Sequence, residues 1–210
     1  MAELIRGLDA RRVAANLDRV REEIGREDVA ILAAVKYVAM EELGVLAEAG
    51  ITLVGENRAQ ELEAKAAAHR ELTWDFIGHL QSRKVRQIVP RARWIHSVAS
   101  DSALEQLGRH GTDATEVLVE VNVAREEGKS GILPEELGAF LERSPVKVVG
   151  LMTMPPVAAR PEDSRRWFAA LAELAAERGL PELSMGTSQD YAVAAQEGAT
   201  IVRLGTILYT

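Results

Sequence analysis

Short apolar runs and amphipathic stretches alternate along almost the whole chain. The run 29–35 is bounded by charged residues, which is typical of a buried strand. Ahead of it, four apolar residues at helical spacing predict a helix over 5–24 that ends at Gly25. The predicted strands cover 29–35, 51–54, 73–77, 93–96, 116–121, 146–151, 183–185 and 200–204. The predicted helices that follow them cover 40–48, 58–69, 80–89, 101–110, a segment opening at Pro134, a segment from Pro161 to Gly179, and 188–197.

Every predicted strand but the last is followed by a helix, and this regular alternation predicts an α/β protein with a parallel sheet. Eight such units in a chain of 210 residues favour a small closed (β/α)8 barrel of the TIM type. We expect a single domain over 1–210. In it, 29–210 forms the barrel and the N-terminal helix within 1–26 covers the place of the missing last helix. An open doubly wound sheet is the alternative, although no GxGxxG motif follows the first strand.

Composition and charge narrow the classes of function. The net charge is −7, and the densest basic stretch, 83–93, is typical of a solvated helix face, so we expect no nucleic-acid binding. The absence of cysteine excludes disulfides, a thiolate nucleophile and cysteine-bound metals, and we predict no metal site. No apolar run is long enough to span a bilayer and no signal peptide is recognisable, so we expect a cytoplasmic protein without a membrane anchor.

A single lysine, Lys36, stands where the first predicted strand ends. An ammonium group is costly to bury, so this side chain either reaches water or loses its proton. If it is kept neutral in a desolvated pocket, it is a nucleophile that can form a Schiff base with an aldehyde. A side chain that merely extends into solvent past the strand end is the simpler interpretation. The other residues at the same end of the barrel bear on this choice.

Two segments at predicted strand ends combine glycine with hydroxyl groups, and active sites of barrels lie at those ends. The first is 184–190, SMGTSQD, and the second is 203–206, RLGT, which adds a fixed positive charge. Glycine permits close approach to the backbone, and free N–H groups at a helix start favour an anion. Helix capping alone would explain either segment. Both at adjacent strands, across from Lys36, imply a phosphorylated aldehyde held as a Schiff base.

Short motifs also occur in a fixed order along nearly the whole chain. They are the strand ending in Lys36, GENR with QE at 55–61, FIGHLQS with Lys84 at 76–84, IHSV at 95–98, VN at 121–122, KSG at 129–131, GLMTM at 150–154, SMG at 184–186 and VRLGT at 202–206. With these motifs in this order, the chain resembles the pyridoxal phosphate homeostasis proteins. That family is related to the N-terminal barrel of bacterial alanine racemase.

The resemblance implies a fold-type III barrel that lacks the C-terminal β-domain of alanine racemase and takes pyridoxal 5'-phosphate as its cofactor. It implies that Lys36 holds the cofactor as a Schiff base and that Asn57 lies near the ring. Arg203 would lie by the pyridine nitrogen, or between it and the phosphate. The residues implied around the phosphate are Ser184, Gly186, Ser188, Gly205 and Thr206. The chain departs from the family pattern at Val35, Tyr37 and Thr187. Of these departures, Tyr37 bears on the shape of the pocket beside Lys36.

Three functions remain open. The first, which we favour, is a protein that stores, buffers or delivers pyridoxal phosphate without turnover, with apoenzymes that depend on this cofactor as its recipients. The second is a fold-type III enzyme of low activity, such as an amino-acid racemase, which needs a second proton donor. Its candidates are His79, Tyr37, Tyr191 and Tyr209. The third is a lysine Schiff-base aldolase acting on a sugar phosphate without a cofactor. We expect a monomer, because no exposed apolar stripe stands out.

Overall fold

Eight parallel strands close into a barrel in the computed structural model, which describes residues 3–210. The strands are β1 Ala30–Ala34, β2 Leu53–Glu56, β3 Thr73–Phe76, β4 Trp94–Val98, β5 Glu116–Glu120, β6 Lys147–Met152, β7 Glu182–Ser184 and β8 Ile201–Leu204. Each strand pairs with its neighbours in chain order, and β8 returns to pair with β1, with Leu32 opposite Arg203. The predicted (β/α)8 barrel is therefore confirmed, and the open sheet is excluded.

Helices form a layer around the barrel. They are α1 Ala10–Ile24, α2 Leu43–Glu48, α3 Ala59–Ala68, α4 Val85–Ile88, α5 Asp101–His110, α6 Leu137–Glu142, α7 Arg165–Glu177, α8 Tyr191–Gln196 and α9 Thr206–Tyr209. Helices α2, α4, α6 and α7 each begin through a 3-10 turn. Two of these turns open at Pro134 and Pro161, where the sequence predicts helix starts. Among the described residues, no helix is both long enough and apolar enough to cross a membrane.

The main core lies between the strands and the helices. The stripe of Val13, Leu17, Val20 and Ile24 on α1 is buried in this core, as its spacing predicts. Fully burying one such side chain contributes about 1.5–3 kcal/mol, so this stripe fastens α1 to the rest of the molecule. A few polar side chains are also fully buried. Among them, those of His96 and Ser184 bond to each other inside the barrel.

Helix α1 begins at Ala10 rather than at residue 5 as the sequence predicts. Gly7 adopts a left-handed φ of 70°, and the Asp9 carboxylate accepts a hydrogen bond from Arg12 N at 2.8 Å as an N-cap. Ile5 pairs instead with the segment after β1, donating its N–H to Tyr37 O at 2.7 Å. Local capping therefore overrides the apolar pattern at this end, since Asp is a preferred N-cap.

Two other boundaries differ from prediction for identifiable reasons. Strand β2 begins at Leu53 instead of residue 51, because Ile51 N still donates to Leu46 O at the end of α2, at 2.9 Å. The predicted helix 188–197 begins only at Tyr191, since 187–190 forms a turn in which Asp190 N donates to Thr187 O at 3.0 Å. The segment that we expected to be a helix N-terminus is therefore a turn.

The expected absence of a helix after the last strand is wrong. Strand β8 is followed by α9, a single helical turn. Helix α1 binds it from the side: the Asn16 amide donates to Leu208 O at 3.2 Å and to Thr210 O at 3.0 Å. Helix α1 also packs against α8 and α2, so it closes the helical layer between them.

Candidate functional site

The residues that the sequence singles out follow four strands that are consecutive around the barrel. Lys36 follows β1, Asn57 follows β2, Ser188 follows β7 and Thr206 follows β8. Because the strands are parallel, all four positions lie at the same end of the barrel, which we call the mouth. The order β7, β8, β1, β2 puts Lys36 between the hydroxyl-rich loops and Asn57.

Lys36 lies in a tight turn in which Val38 N donates to Val35 O at 3.1 Å. Its side chain is exposed, and Nζ lies 4.6 Å from the centroid of the Tyr37 ring. The Lys36 side chain is therefore accessible to solvent and in contact with an aromatic face. Within residues 3–210, the desolvated pocket that the nucleophile interpretation requires does not surround this side chain.

The backbone beneath Lys36 is held by two buried side chains. Lys65 Nζ, on α3, donates to Val35 O at 2.8 Å, and Tyr209 Oη, on α9, donates to Ala34 O at 3.1 Å. Burial raises the pKa of the Tyr209 phenol, and the nearby Glu56 carboxylate adds to that effect, so the phenol remains a donor. Nothing in the sequence of the Ala- and Glu-rich helix α3 distinguishes Lys65 from a solvated lysine.

Glu56 joins this arrangement to Asn57. One carboxylate oxygen accepts from Lys65 Nζ at 2.7 Å, and the other accepts from Asn57 N at 2.6 Å and Arg58 N at 3.2 Å. Gly78 packs so closely on Asn57 that a Cβ there would lie 2.1 Å from the Asn57 carbonyl oxygen. The Asn57 side-chain oxygen is buried and has no hydrogen-bond partner within residues 3–210. Asn57 therefore has unused hydrogen-bonding capacity at the mouth.

The loop after β7 is closed on itself. Thr187 donates both its N–H, at 2.8 Å, and its hydroxyl, at 3.2 Å, to the Asp190 carboxylate, and the Ser188 hydroxyl accepts from Gly205 N at 3.3 Å. Gly186 has a φ of 90°, and a Cβ there would lie 2.5 Å from the Ala194 Cβ. This glycine therefore packs closely on α8. At Gly205, by contrast, a Cβ would meet open space.

Arg203 is buried inside the barrel and is bound at several points. It donates to Ser184 Oγ at 2.6 Å and to Thr153 O at 2.9 Å, and it contacts Met154 Sδ at 2.8 Å. Burial lowers the pKa of Arg203 to about 10, while the charges of Glu120 and Asp190 oppose this shift. Arg203 therefore remains a cation at neutral pH, and its hydrogen bonds fix the orientation of the guanidinium group.

The Ser184 side chain lies inside the barrel. Its hydroxyl is fully buried and bonds His96 Nδ1 at 2.8 Å besides accepting from Arg203. Within residues 3–210, the hydrogen-bond partners of its hydroxyl are His96 and Arg203, and neither Ser188 nor Gly205 is among them. Its place in the barrel suits it to orient Arg203.

A chain of hydrogen bonds continues from Ser184 across the barrel, from β7 to β4 and β3. His96 Nε2 lies 3.1 Å from Asp75 Oδ2, and Arg93 donates to both Asp75 oxygens at 2.9 and 2.6 Å. Because Arg203 donates to Ser184, the serine proton is free to reach His96 Nδ1, and Nε2–H then donates to Asp75. We call Arg93, Asp75, His96, Ser184 and Arg203 the transverse network.

Burial and hydrogen bonding shift the pKa values of two residues of this network. Burial lowers the pKa of His96, although the Asp75 carboxylate opposes the shift, so the imidazole is neutral. Burial alone would raise the pKa of Asp75, but hydrogen bonds from His96 and Arg93 outweigh it and hold that pKa below its ordinary value. Sequence reasoning missed Asp75 and assigned no role to His96. The available signal was a titratable residue in the middle of an otherwise apolar strand.

Comparisons with known proteins point to one family. The family model of the alanine racemase N-terminal domain matches residues 8–210. A pyridoxal phosphate homeostasis protein of Aquifex aeolicus is 39% identical over 94% of this chain and 94% of its own length. One of Pseudomonas aeruginosa is 36% identical over 94% of this chain and 92% of its own length.

Solved structures add to these relatives. PipY of Synechococcus elongatus, solved with pyridoxal phosphate bound, is 32% identical with a TM-score of 0.81, over 94% of this chain and 100% of that one. Its form without the cofactor has a TM-score of 0.84 at the same coverage. Alanine racemase of Corynebacterium glutamicum has a TM-score of 0.73 at 19% identity, over 96% of this chain and 61% of the racemase chain, which shows a shared fold. The chain thus belongs to the pyridoxal phosphate homeostasis protein family, within the wider family of the alanine racemase N-terminal domain.

Proposed function

We propose that this chain binds pyridoxal 5'-phosphate through Lys36 and serves in its homeostasis, storing, buffering or delivering the cofactor without turnover. The observation that carries the proposal is the exposed Lys36 side chain on a fixed turn at the barrel mouth, between Asn57 and the loops of Ser188 and Gly205. The support from relatives is that homologues carry the name of this function and that PipY was solved with pyridoxal phosphate bound.

The residues at the mouth fit this cofactor. Within residues 3–210, Asn57 has a buried amide oxygen without a partner and Gly205 faces open space. The first N–H groups of α9 have no intrahelical acceptor. Arg203 supplies a fixed cation that would disfavour protonation of a nearby pyridine nitrogen, because like charges repel. When bound, the cofactor supplies an aldehyde for Lys36 and an electron-withdrawing ring.

Phosphate contacts are proposed for Gly186, Ser188, Gly205 and Thr206. The Ser188 hydroxyl accepts from Gly205 N and keeps its own O–H, which would donate to the phosphate. Binding of the phosphate would also have to compete with Asp190, whose carboxylate accepts from Thr187 N. For Ser184 we propose an indirect contribution through Arg203.

Turnover needs a second proton donor, and the candidates for it are poorly directed. The Tyr191 hydroxyl donates to Glu23 on α1, and the Tyr209 hydroxyl donates to Ala34 O. His79 is exposed and Tyr37 lies under the Lys36 ammonium. These positions favour a carrier over a racemase.

We further propose a cytoplasmic monomer with one domain over 1–210, and apoenzymes that need the cofactor as recipients. Light scattering at the mass of one chain tests the monomer.

The test is the visible absorption spectrum of the purified protein with pyridoxal phosphate, compared with Lys36→Ala and with Lys84→Ala as a matched lysine control. We expect a yellow adduct in the wild type and in Lys84→Ala that borohydride fixes onto Lys36, and no such adduct in Lys36→Ala. A wild type without an adduct would contradict the proposal and favour the aldolase. Racemisation of amino acids by the wild type, abolished in Tyr37→Phe or His79→Gln, would favour the enzyme.

A further inference from the structure

We propose that the buried ion pair of Glu56 and Lys65, together with the Tyr209 hydroxyl, positions Lys36 for its reaction with the aldehyde of pyridoxal phosphate. This inference rests on the proposed function, because it concerns the same lysine. The three side chains are positioning residues, since they act through the backbone on which Lys36 stands. None of them enters the sequence prediction in this role.

The argument begins with the burial of Lys65. Its side chain is 3% exposed and that of Glu56 is 0% exposed. A buried ion pair is weak support for stability, because desolvating two charges offsets most of their attraction. The placement of this pair therefore calls for another reason. The other acceptor of the Lys65 ammonium is Val35 O, the carbonyl of the peptide bond that leads into Lys36.

That carbonyl is held at the start of the turn that carries Lys36, which we call the lysine turn. Val35 O accepts from Lys65 Nζ at 2.8 Å and from Val38 N at 3.1 Å, and Val35 N donates to Gly55 O at 2.9 Å. The preceding carbonyl, Ala34 O, accepts from Tyr209 Oη. The backbone of Lys36 is thus fixed on its N-terminal side, while its side chain remains exposed.

The same residues connect the turn to both sides of the mouth. The second oxygen of Glu56 holds the N–H groups of Asn57 and Arg58. Tyr209 belongs to α9, whose first residue is Thr206 next to Gly205. Displacement of Lys65 or Tyr209 would therefore shift Lys36 relative to Asn57 on one side and to the proposed phosphate loop on the other.

The reaction depends on the distance between Lys36 Nζ and the aldehyde carbon. The unprotonated Lys36 Nζ adds its electron pair to the aldehyde carbon, and a C=N bond replaces the C=O bond. Both N–H protons of the amine end on the aldehyde oxygen, which leaves as water. No oxidant or reductant takes part. An amine misplaced by about 1 Å from its near-attack position reacts about a hundredfold more slowly.

The test compares the rate of adduct formation with the affinity for pyridoxamine phosphate, which has the same ring and phosphate but no aldehyde. In Glu56→Gln/Lys65→Met both buried charges are removed and an oxygen is retained for the N–H groups of Asn57 and Arg58. We expect adduct formation to be about tenfold to a hundredfold slower, with the affinity for pyridoxamine phosphate unchanged. Thermal unfolding monitored by circular dichroism checks that the variant folds.

A single-atom change provides the second variant. Tyr209→Phe removes the hydrogen bond to Ala34 O, and we expect a smaller decrease of the same rate. Tyr191→Phe is the matched control, because the partly buried Tyr191 hydroxyl donates to Glu23 on α1 instead, and we expect no change. Equal losses of rate and of pyridoxamine phosphate affinity, or unchanged rates in both variants, would overturn the positioning role. A wild type that forms no adduct would overturn the proposed function, and this inference with it.

Discussion

Two glycines of the candidate site face different surroundings. Gly186 has a left-handed φ of 90° and is packed against α8, where a Cβ would lie 2.5 Å from Ala194 Cβ and 3.1 Å from Tyr191 Cα. Gly205 has a negative φ, and a Cβ there would contact nothing within 4 Å. One glycine is thus required by the fold, while the other leaves space at the mouth.

This contrast predicts that the same substitution lowers stability at Gly186 and weakens binding at Gly205. Gly186→Ala should lower the free energy of unfolding by about 1–3 kcal/mol, because the added methyl overpacks against backbone in a left-handed conformation. For a chain of this size that corresponds to a decrease in Tm of about 2–4 °C per kcal/mol, measured by thermal unfolding. A Tm equal to that of the wild type would show that α8 moves away without cost.

Gly205→Ala should leave Tm unchanged and weaken pyridoxamine phosphate binding about tenfold, which is about 1.4 kcal/mol. The reason is that its methyl would occupy the open space in which we place the phosphate. Isothermal titration of both glycine variants measures the affinities. Unaltered binding by Gly205→Ala would argue against a phosphate beside this residue.

Single residues were predictable from the sequence only where the strand pattern itself exposes them. Lys36 and Arg203 interrupt or end apolar runs, and that position suggested a role for each. Lys65, by contrast, could not be predicted from the sequence, because a lysine among alanines and glutamates on a helix is ordinarily solvated. Its partner is Val35 O, on a strand end that only the closed barrel brings within reach.

At the scale of elements, α9 is too short to be stable by itself. It has four residues, and isolated helices of that length do not persist in water. Its position depends on α1, through the two hydrogen bonds that Asn16 donates to Leu208 O and Thr210 O. The N-terminal helix therefore supports the element that begins at Thr206.

Asn16→Ala should loosen α9 without unfolding the barrel. Each of the two hydrogen bonds contributes about 0.5–1.5 kcal/mol, or about 1–3 kcal/mol together, so amide exchange in 206–210 should become about fivefold to 150-fold faster. Hydrogen–deuterium exchange with mass spectrometry measures this, with Arg12→Ala on the exposed face of α1 as the control. Equal protection in Asn16→Ala and the control would mean that packing alone holds α9.

The elements that the sequence predicts well are those with long apolar stripes or clear caps. Helix α5 has the predicted bounds, with Ser100 as its N-cap and Leu104 and Leu107 buried. Prediction failed where a short-range hydrogen bond competes with the pattern, as at Asp9, Ile51 and Asp190. It also failed for α9, whose one turn is too short for a periodic signal.

At the scale of the whole molecule, the transverse network links four strands of the barrel through its interior. Burial holds the pKa of His96 below its ordinary value of 6.5. Below about pH 6.5 the unfolded chain therefore binds a proton that the folded chain does not, and the folded state loses stability as pH falls. Asp75, whose pKa is also lowered, adds the same trend below its ordinary value of 3.8.

We expect the free energy of unfolding to fall by at most about 1.4 kcal/mol per pH unit below pH 6.5 through His96. Urea unfolding at pH 7.5, 6.5 and 5.5 measures this slope. His96→Gln should flatten it, whereas His79→Gln at the exposed rim should leave it unchanged. Identical slopes in the wild type and His96→Gln would show that another group controls stability in this range.

The closure of the barrel by pairing of β8 with β1 has a consequence for the order in which the binding site forms during synthesis. Lys36 belongs to the first strand unit to leave the ribosome, whereas Gly205, Thr206 and Tyr209 belong to the last. A nascent chain thus displays the lysine long before it has either the loops that we propose for the phosphate or the tyrosine that donates to Ala34 O. The lysine of such a chain reacts with free aldehydes only as any exposed lysine does. Selective capture of the cofactor therefore begins only when the last strand has been made and has closed the barrel.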